Sequence, residues 1–361
     1  MADSTKNAAA NTDNGSGEAG KASDGTAKKE GASVVFKLYC LAVLTVMAAS
    51  YTVLMRYTRT VEGVRYYSTT TVFVTECAKM FFTLCILLKE HKGSIRKVSQ
   101  ELKGNIVGKP MEMLKMSVPS IVYAIQNNMT FIGLSNLDAA TYQVTYQMKI
   151  PCTALLSVMM LGRSLSSMQW IAVFVLTGGV ILVQGIGGEA VSHTTGTEGN
   201  YVVGLTALTI AVFCSGFAGV YFEKLLKGSD TSLWVRNVQM YSWGMLSAFL
   251  GVVMHDWQNV RENGFLYGYT PLVWLVVLLG SGGGIYTSIV VKYTDNIMKG
   301  FAAAAAIVLS TIASIMFMGL VVGWMFVMGA SLVIAAIFLY GLPKTNTEKL
   351  PVRKSGTAQN V

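Results

Sequence analysis

Lys149 lies half-way along an otherwise apolar run, residues 139–161. A lysine at the centre of a membrane helix costs about 2.5–3.5 kcal/mol on insertion scales, so such a residue faces a cavity or a partner. The pair Met148-Lys149 recurs 150 residues further on as Met298-Lys299, again beside small and apolar residues. Two ammonium groups at matching places in two halves of one chain suit an anionic ligand, since lysine binds phosphate as a point charge. The competing structural role is an ion pair, with Glu76 as the candidate partner of Lys149. Glu76 and Lys79, however, stand at i,i+3 on one helix face and can satisfy each other, which leaves Lys149 unmatched.

Polar residues inside other apolar runs form stripes at helical spacing. Tyr142, Tyr146 and Lys149 share a face. Tyr123, Gln126 and Asn127 share another, with Pro119 one turn earlier, and Asn237 and Tyr241 are four apart. Gly282-Gly283-Gly284 precedes Tyr286, Thr287 and Ser288. Each stripe alone is compatible with interfacial tyrosines or close helix packing. Together they offer cations, amides and tyrosines with no acidic cluster. A tyrosine stacks on a base and an asparagine reads its edge, so a nucleotide or its conjugate fits better than a sugar or a cation.

The elements that must position these residues are membrane helices. Hydrophobic residues make up 52% of the chain and charged residues only 13%, against about 25% charge in soluble domains. The expected fold class is an all-α membrane protein. Ten runs are long enough to span, at about 34–55, 68–88, 115–135, 139–161, 168–186, 202–223, 235–254, 272–292, 297–319 and 321–341. The longest internal loops are 89–114, 187–201 and 255–271. The 187–201 loop divides the runs into halves at about 34–186 and 202–341. Five spans per half force opposite orientations, the inverted-repeat plan of secondary transporters. Pro151, two residues past Lys149, frees the carbonyl of residue 147 and kinks the fourth span.

Charge orients the chain. The loop after the second span holds Lys89, Lys92, Arg96, Lys97, Lys103 and Lys109, and residues past the tenth add Lys344, Lys349, Arg353 and Lys354. The other side has Arg56, Arg59, Arg65 and Arg261, and loop 187–201 has no Lys or Arg. The positive-inside bias places both termini in the cytosol. Residues 1–33 read as a disordered cytosolic tail, the first span as an uncleaved anchor, and residues 342–361 as a second cytosolic tail. On this topology Lys299 sits nearer the cytosolic mouth than Lys149. It either snorkels to headgroups or meets a second anionic group of the ligand.

Several classes are disfavoured. The net charge of +9 is spread over short loops and does not indicate nucleic acid. The five cysteines lie in apolar runs and read as small buried hydrophobes. His91, His193 and His255 are scattered, so no metal site, catalytic residue or cofactor is expected. The sequons at Asn14 and Asn128 fall in the tail and inside a helix, where neither is expected to be used. The loops 187–201 and 255–271 offer only widely spaced acids, which argues against a multipass glycosyltransferase.

The stretch Tyr123-Ala-Ile-Gln-Asn-Asn-Met, followed by Leu134-Ser-Asn-Leu-Asp-Ala-Ala-Thr-Tyr-Gln-Val-Thr-Tyr-Gln-Met-Lys-Ile-Pro, resembles the signature of Golgi nucleotide-sugar transporters. So do Gly216-Phe-Ala-Gly-Val-Tyr-Phe-Glu-Lys and Val291-Lys-Tyr-Thr-Asp-Asn-Ile-Met-Lys-Gly-Phe. The similarity runs from about Phe36 to Pro343. Within that family Lys149-Ile-Pro-Cys-Thr-Ala-Leu, Val238-Gln-Met-Tyr241 and Gly283-Gly-Ile-Tyr-Thr-Ser look most like the CMP-sialic acid branch. The chain departs at Ser242-Trp243, where related sequences have a leucine and then a serine. The resemblance implies a drug/metabolite-transporter fold in the Golgi membrane. It implies import of CMP-sialic acid in exchange for CMP by alternating access. UDP-galactose or UDP-N-acetylglucosamine exchanged for UMP is the alternative. It implies substrate contacts at Tyr123, Asn127, Tyr142, Lys149, Asn237, Tyr241 and Lys299. The expected partners are the nucleotide sugar, its monophosphate and the bilayer, and a homodimer is compatible with the sequence.

Overall fold

The computed structural model describes residues 34–60, 64–186, 200–228, 231–318 and 323–341. Both terminal tails and most of loop 187–201 lie outside the described residues. Among those described there is no strand. The helices are α1 (Val34–Thr60), α2 (Ser68–Glu90), α3 (Ile95–Leu102), a π-helical turn at Lys103–Val107, α4 (Pro110–Lys115), α5 (Ser117–Asn136), α6 (Ala139–Gln147), α7 (Lys149–Leu161) and α8 (Ser167–Ile186). They continue with α9 (Tyr201–Lys227), α10 (Leu233–His255), α11 (Trp257–Asn263), α12 (Pro271–Tyr293), α13 (Asn296–Met318) and α14 (Trp324–Gly341).

Their starts follow local chemistry. The Asn200 side chain accepts from the N–H groups of Val202 and Val203, Ser232 from Val235, and Thr270 from Val273 ahead of Pro271. Each such cap satisfies donors that a helix leaves unpaired. The run 139–161 does not form one helix. It breaks at Met148, between α6 and α7, because Pro151 has no N–H to give residue 147 and its ring crowds that carbonyl. Gly162, at φ +62°, ends α7 in the left-handed conformation that glycine adopts freely.

Ten spans were expected; eight segments among the described residues are long and apolar enough to cross a membrane. The two expected spans that fall short are α5 and α10. Both are long, at 20 and 23 residues, but they carry Gln126, Asn127 and Asn128, and Arg236, Asn237 and Gln239. Polar residues that line an internal cavity lower the mean hydropathy without placing the helix in water. Large apolar side chains such as Phe81, Phe317 and Phe338 are exposed on the outer surface, as lipid contact requires.

The most extensive contacts are α8 with α14, α5 with α9, α2 with α10, α1 with α12 and α13, and α7 with α9. Exchanging α1, α2, α5, α6–α7 and α8 for α9, α10, α12, α13 and α14 respectively maps this set onto itself. The largest apolar cluster joins α8, α13 and α14 through Val173, Leu176, Val180, Phe301, Val333 and Ala336. Its helices meet backbone to backbone: a Cβ on Gly179 would lie 3.0 Å from the Gly329 carbonyl oxygen, and one on Gly329 2.8 Å from that of Gly179. Small residues permit such an approach, and packing supplies the attraction where lipid offers no hydrophobic drive.

Candidate functional site

The break at Met148 places Lys149 on the first turn of α7. Its Nζ sits 4.0 Å from the centre of the Tyr146 ring, a cation–π contact. Tyr142 stacks on Tyr146 with centroids 5.8 Å apart and ring planes at 12°. The expected face Tyr142–Tyr146–Lys149 therefore survives the break. Gln126 of α5 donates to the Tyr146 hydroxyl at 3.4 Å.

Lys149 and Lys299 line one cavity of about 200 Å³, together with Gln147, Thr153, Ser215 and Asn296. Their charges repel each other. Among the described residues neither forms an ion pair with a carboxylate. Lys299 thus lines the cavity it shares with Lys149, an arrangement that snorkelling alone does not describe. Lys299 lies within electrostatic reach of the Glu223 carboxylate, beyond ion-pair distance, and two cations sharing one small cavity favour an anion between them. The Glu76–Lys79 pair forms as expected, at 2.5 Å, and does not reach Lys149.

A second cavity, about 630 Å³, is lined by Tyr123, Asn127 and Tyr241 with Glu76 and Lys79. Lys79 lies 4.8 Å from the Tyr241 ring centre, and the Tyr241 hydroxyl is 3.5 Å from the Ser288 hydroxyl. Tyr123 and Tyr146 are close enough to interact electrostatically, so a run of side chains joins this cavity to Lys149. A third cavity, about 360 Å³, shares Glu76 and is lined by Tyr51, Gly283 and Thr287.

The seven expected contacts therefore do not fall in one cavity. Lys149 and Lys299 share one, and Tyr123, Asn127 and Tyr241 share another. Tyr142 reaches the lysine cavity only through Tyr146. Asn237 is fully buried, and neither its amide nitrogen nor its oxygen has a hydrogen-bond partner. A buried amide with both ends unsatisfied costs several kcal/mol, and Asn237 lines none of the three cavities described. Asn296 shows the same signal at Oδ1. Sequence reasoning left Asn296 out, although it stands three residues before Lys299. It also treated Glu76 and Lys79 only as a self-satisfied pair, missing that they line the larger cavity.

One end of the lysine cavity is tied by a charged cluster. Glu223 is fully buried and accepts from Arg163 at 2.5 Å, Lys227 at 2.7 Å and the Asn296 N–H at 2.9 Å. Arg163 also pairs with Asp295 at 3.1 Å, and Asp295 accepts from the Met298 N–H at the start of α13. No group of three or more His, Cys, Asp or Glu able to hold a metal is found among the described residues. The cysteines are unpaired; Cys40 is buried as expected, whereas Cys77, Cys152 and Cys214 are only half-buried and Cys85 is exposed.

A family model described as nucleotide-sugar transporter matches residues 32–341. The chain belongs to the nucleotide-sugar transporter family. It is similar to the UDP-N-acetylglucosamine transporter of Rattus norvegicus, 45% identical over 86% of this chain and 96% of that one. The Homo sapiens protein of the same description is 44% identical over 84% and 95%. The UDP-galactose translocator of Bos taurus is 45% identical over 85% and 78%. A solved crystal structure superposes with TM-score 0.60 over 86% of this chain and 97% of the other at 14% identity, which shows a shared fold.

These relatives of the nucleotide-sugar transporter carry UDP-sugars in their names, and they do not support the expected CMP-sialic acid branch. Two of the three stretches behind that expectation contain residues serving the fold. Thr153 bonds back to the Lys149 carbonyl at 2.7 Å, Cys152 packs against α9 at Gly216, and Ser288 bonds the Ile285 carbonyl at 3.0 Å. Trp243, at the departure from the family pattern, donates to the Met113 carbonyl at 3.0 Å, which ties α10 to the segment before α5.

Proposed function

We propose that this nucleotide-sugar transporter imports a UDP-sugar, UDP-N-acetylglucosamine or UDP-galactose, into the Golgi lumen in exchange for UMP. The observation that carries the reading is the pair Lys149 and Lys299 in one cavity, neither of them in an ion pair among the described residues, with Glu223 acting on Lys299 only at longer range. Two ammonium groups in so small a space match the adjacent charges of a diphosphate. Asn127, beside Tyr123 in the second cavity, offers an edge reader, and Tyr123 and the stacked Tyr142–Tyr146 rings offer surfaces for a base. The seven expected contacts are retained as substrate contacts in this proposal. The 34–341 region works as two inverted five-helix halves, with both termini cytosolic and substrate access alternating between the two sides. The exchange symmetry of the helix contacts supports that plan. The relatives being transporters accords with the absence of an enzymatic role.

Proteoliposomes loaded with UMP and offered labelled UDP-N-acetylglucosamine, UDP-galactose and CMP-sialic acid test the proposal. Uptake of a UDP-sugar that depends on internal UMP is the expected result. Uptake of CMP-sialic acid alone, driven by internal CMP, would restore the CMP-sialic acid reading. No uptake of any of the three would remove the transport reading.

A further inference from the structure

The segment between α2 and α5 is tethered at both ends to long helices, so the chain holds it at the membrane edge. Its inner side is fastened down. Val98 packs with Leu87, Val235 and Val238, Trp234 donates to Glu90 at 2.7 Å, and Gln239 donates to the Asn105 carbonyl at 3.0 Å. Each of its acids is engaged by a partner. Glu90 takes the Trp234 N–H, Glu101 pairs with His91 at 2.6 Å, and Glu112 pairs with Lys115 at 2.6 Å and with Arg236.

The outer side carries a different chemistry. Lys89, Lys92, Arg96, Lys97, Lys103 and Lys109 are all exposed. Among the described residues none forms an ion pair. Between them Ile95 is 72% exposed, Val107 74%, Met111 62% and Leu114 53%. A soluble loop seldom mixes dense positive charge with apolar side chains this open. An element lying in the headgroup plane does so, seating apolar side chains among acyl chains and lysines on phosphates.

We infer that residues 89–115 form a docking surface for anionic lipid headgroups of the leaflet in which the chain is embedded. Charge complementarity selects the occupant: six exposed cations form no ion pair among the described residues, Lys109 lining a cavity it shares with Glu101 and Glu112 and the other five elsewhere on the segment, while the acids are bound internally. Basic residues beside a membrane helix attract anionic lipid over about one Debye length, so the attraction weakens in salt. The surface also connects to the proposed substrate helix, because Arg236, which bonds Glu112, directly precedes Asn237 on α10.

The test reads lipid retention directly and needs no transport, so its failure is separable from failure of the proposed function. The full chain is purified in uncharged detergent and offered phosphatidylserine and phosphatidylcholine in competition, and retained lipid is counted by native mass spectrometry. The parent should retain phosphatidylserine preferentially, and raised salt should abolish the preference. Replacing the six cations by glutamine should weaken phosphatidylserine retention by at least about tenfold. Replacing Arg56, Arg65 and Arg261 on the opposite side should leave it unchanged, and this second variant controls for general loss of charge. Equal retention by parent and six-site variant would overturn the inference, as would equal loss in both variants. Binding of soluble inositol hexakisphosphate without phosphatidylserine would also overturn it, because the surface would then take a free anion.

Discussion

Replacing Glu223 separates two roles that the structure gives one carboxylate. One oxygen accepts from Arg163 and Lys227, and the other from the Asn296 N–H. Glu223→Leu removes both. Arg163 keeps Asp295 at 3.1 Å and Lys227 keeps the Thr294 carbonyl, and these cations are 27% and 32% exposed, so neither is stranded. The Asn296 N–H has no such alternative, since Asn296 is 3% exposed. Leaving a buried donor unpaired costs about 1–3 kcal/mol. The lost charge-assisted bonds add about 1.5–3 kcal/mol, without the further penalty of a stranded buried charge because both cations keep a partner. Glu223→Gln keeps one carbonyl oxygen for the Asn296 N–H and loses only the charge, for about 1.5–3 kcal/mol. Thermal unfolding of the purified chain in detergent, followed by tryptophan fluorescence, should rank parent, Gln variant and Leu variant in falling order. A Leu variant as stable as the parent would refute the reasoning. So would a Gln variant that falls as far as the Leu variant, because the backbone donor would then carry no weight.

Further outcomes are expected elsewhere. A Cβ on Gly219 would collide with the Asn296 side-chain amide, so Gly219→Ala should displace Asn296 from the lysine cavity. Transport should fall, and unfolding temperature should fall with it; unchanged transport would contradict the contact. Glu112, on the short helix outside the membrane spans, is held down to about 2 by its hydrogen bonds to Lys115 and then Arg236. A lowered carboxyl pKa stabilises the fold fully above the unfolded value, about 4.5. That contribution is lost as pH falls towards about 2, so unfolding temperature should drop through that window in the parent and less in Glu112→Gln. Lys299→Ala should weaken UDP binding more than UMP binding if Lys299 meets the second phosphate. Equal losses in isothermal titration would place it on the shared phosphate.

Much of this fold is legible in the sequence because the bilayer imposes a strong pattern. Apolar runs near twenty residues mark the helices, and Pro151 correctly announces the break beside Lys149. The pattern weakens in α5 and α10, whose polar residues bring them below a spanning threshold. The two lysines are legible as a pair because their repeat is spelled out as Met-Lys. The distribution of the other contacts over separate cavities is not, because spacing along a helix says which residues share a face and nothing of what that face meets. Asn296 is the clearest case. Its signal, an unsatisfied buried oxygen, exists only once α9 is packed at Gly219. Branch-level specificity is less legible for a related reason, since Cys152, Thr153 and Ser288 answer to backbone and neighbouring helices.

Equilibrium binding of labelled UMP to the parent and to Lys149→Ala tests the central claim most directly. Removing one partner of a buried charged contact costs about 2–5 kcal/mol, so UMP affinity should fall about thirtyfold or more while the variant still elutes as a monodisperse folded species. Unchanged UMP affinity in that folded variant would contradict the assignment of the lysine cavity as the phosphate site.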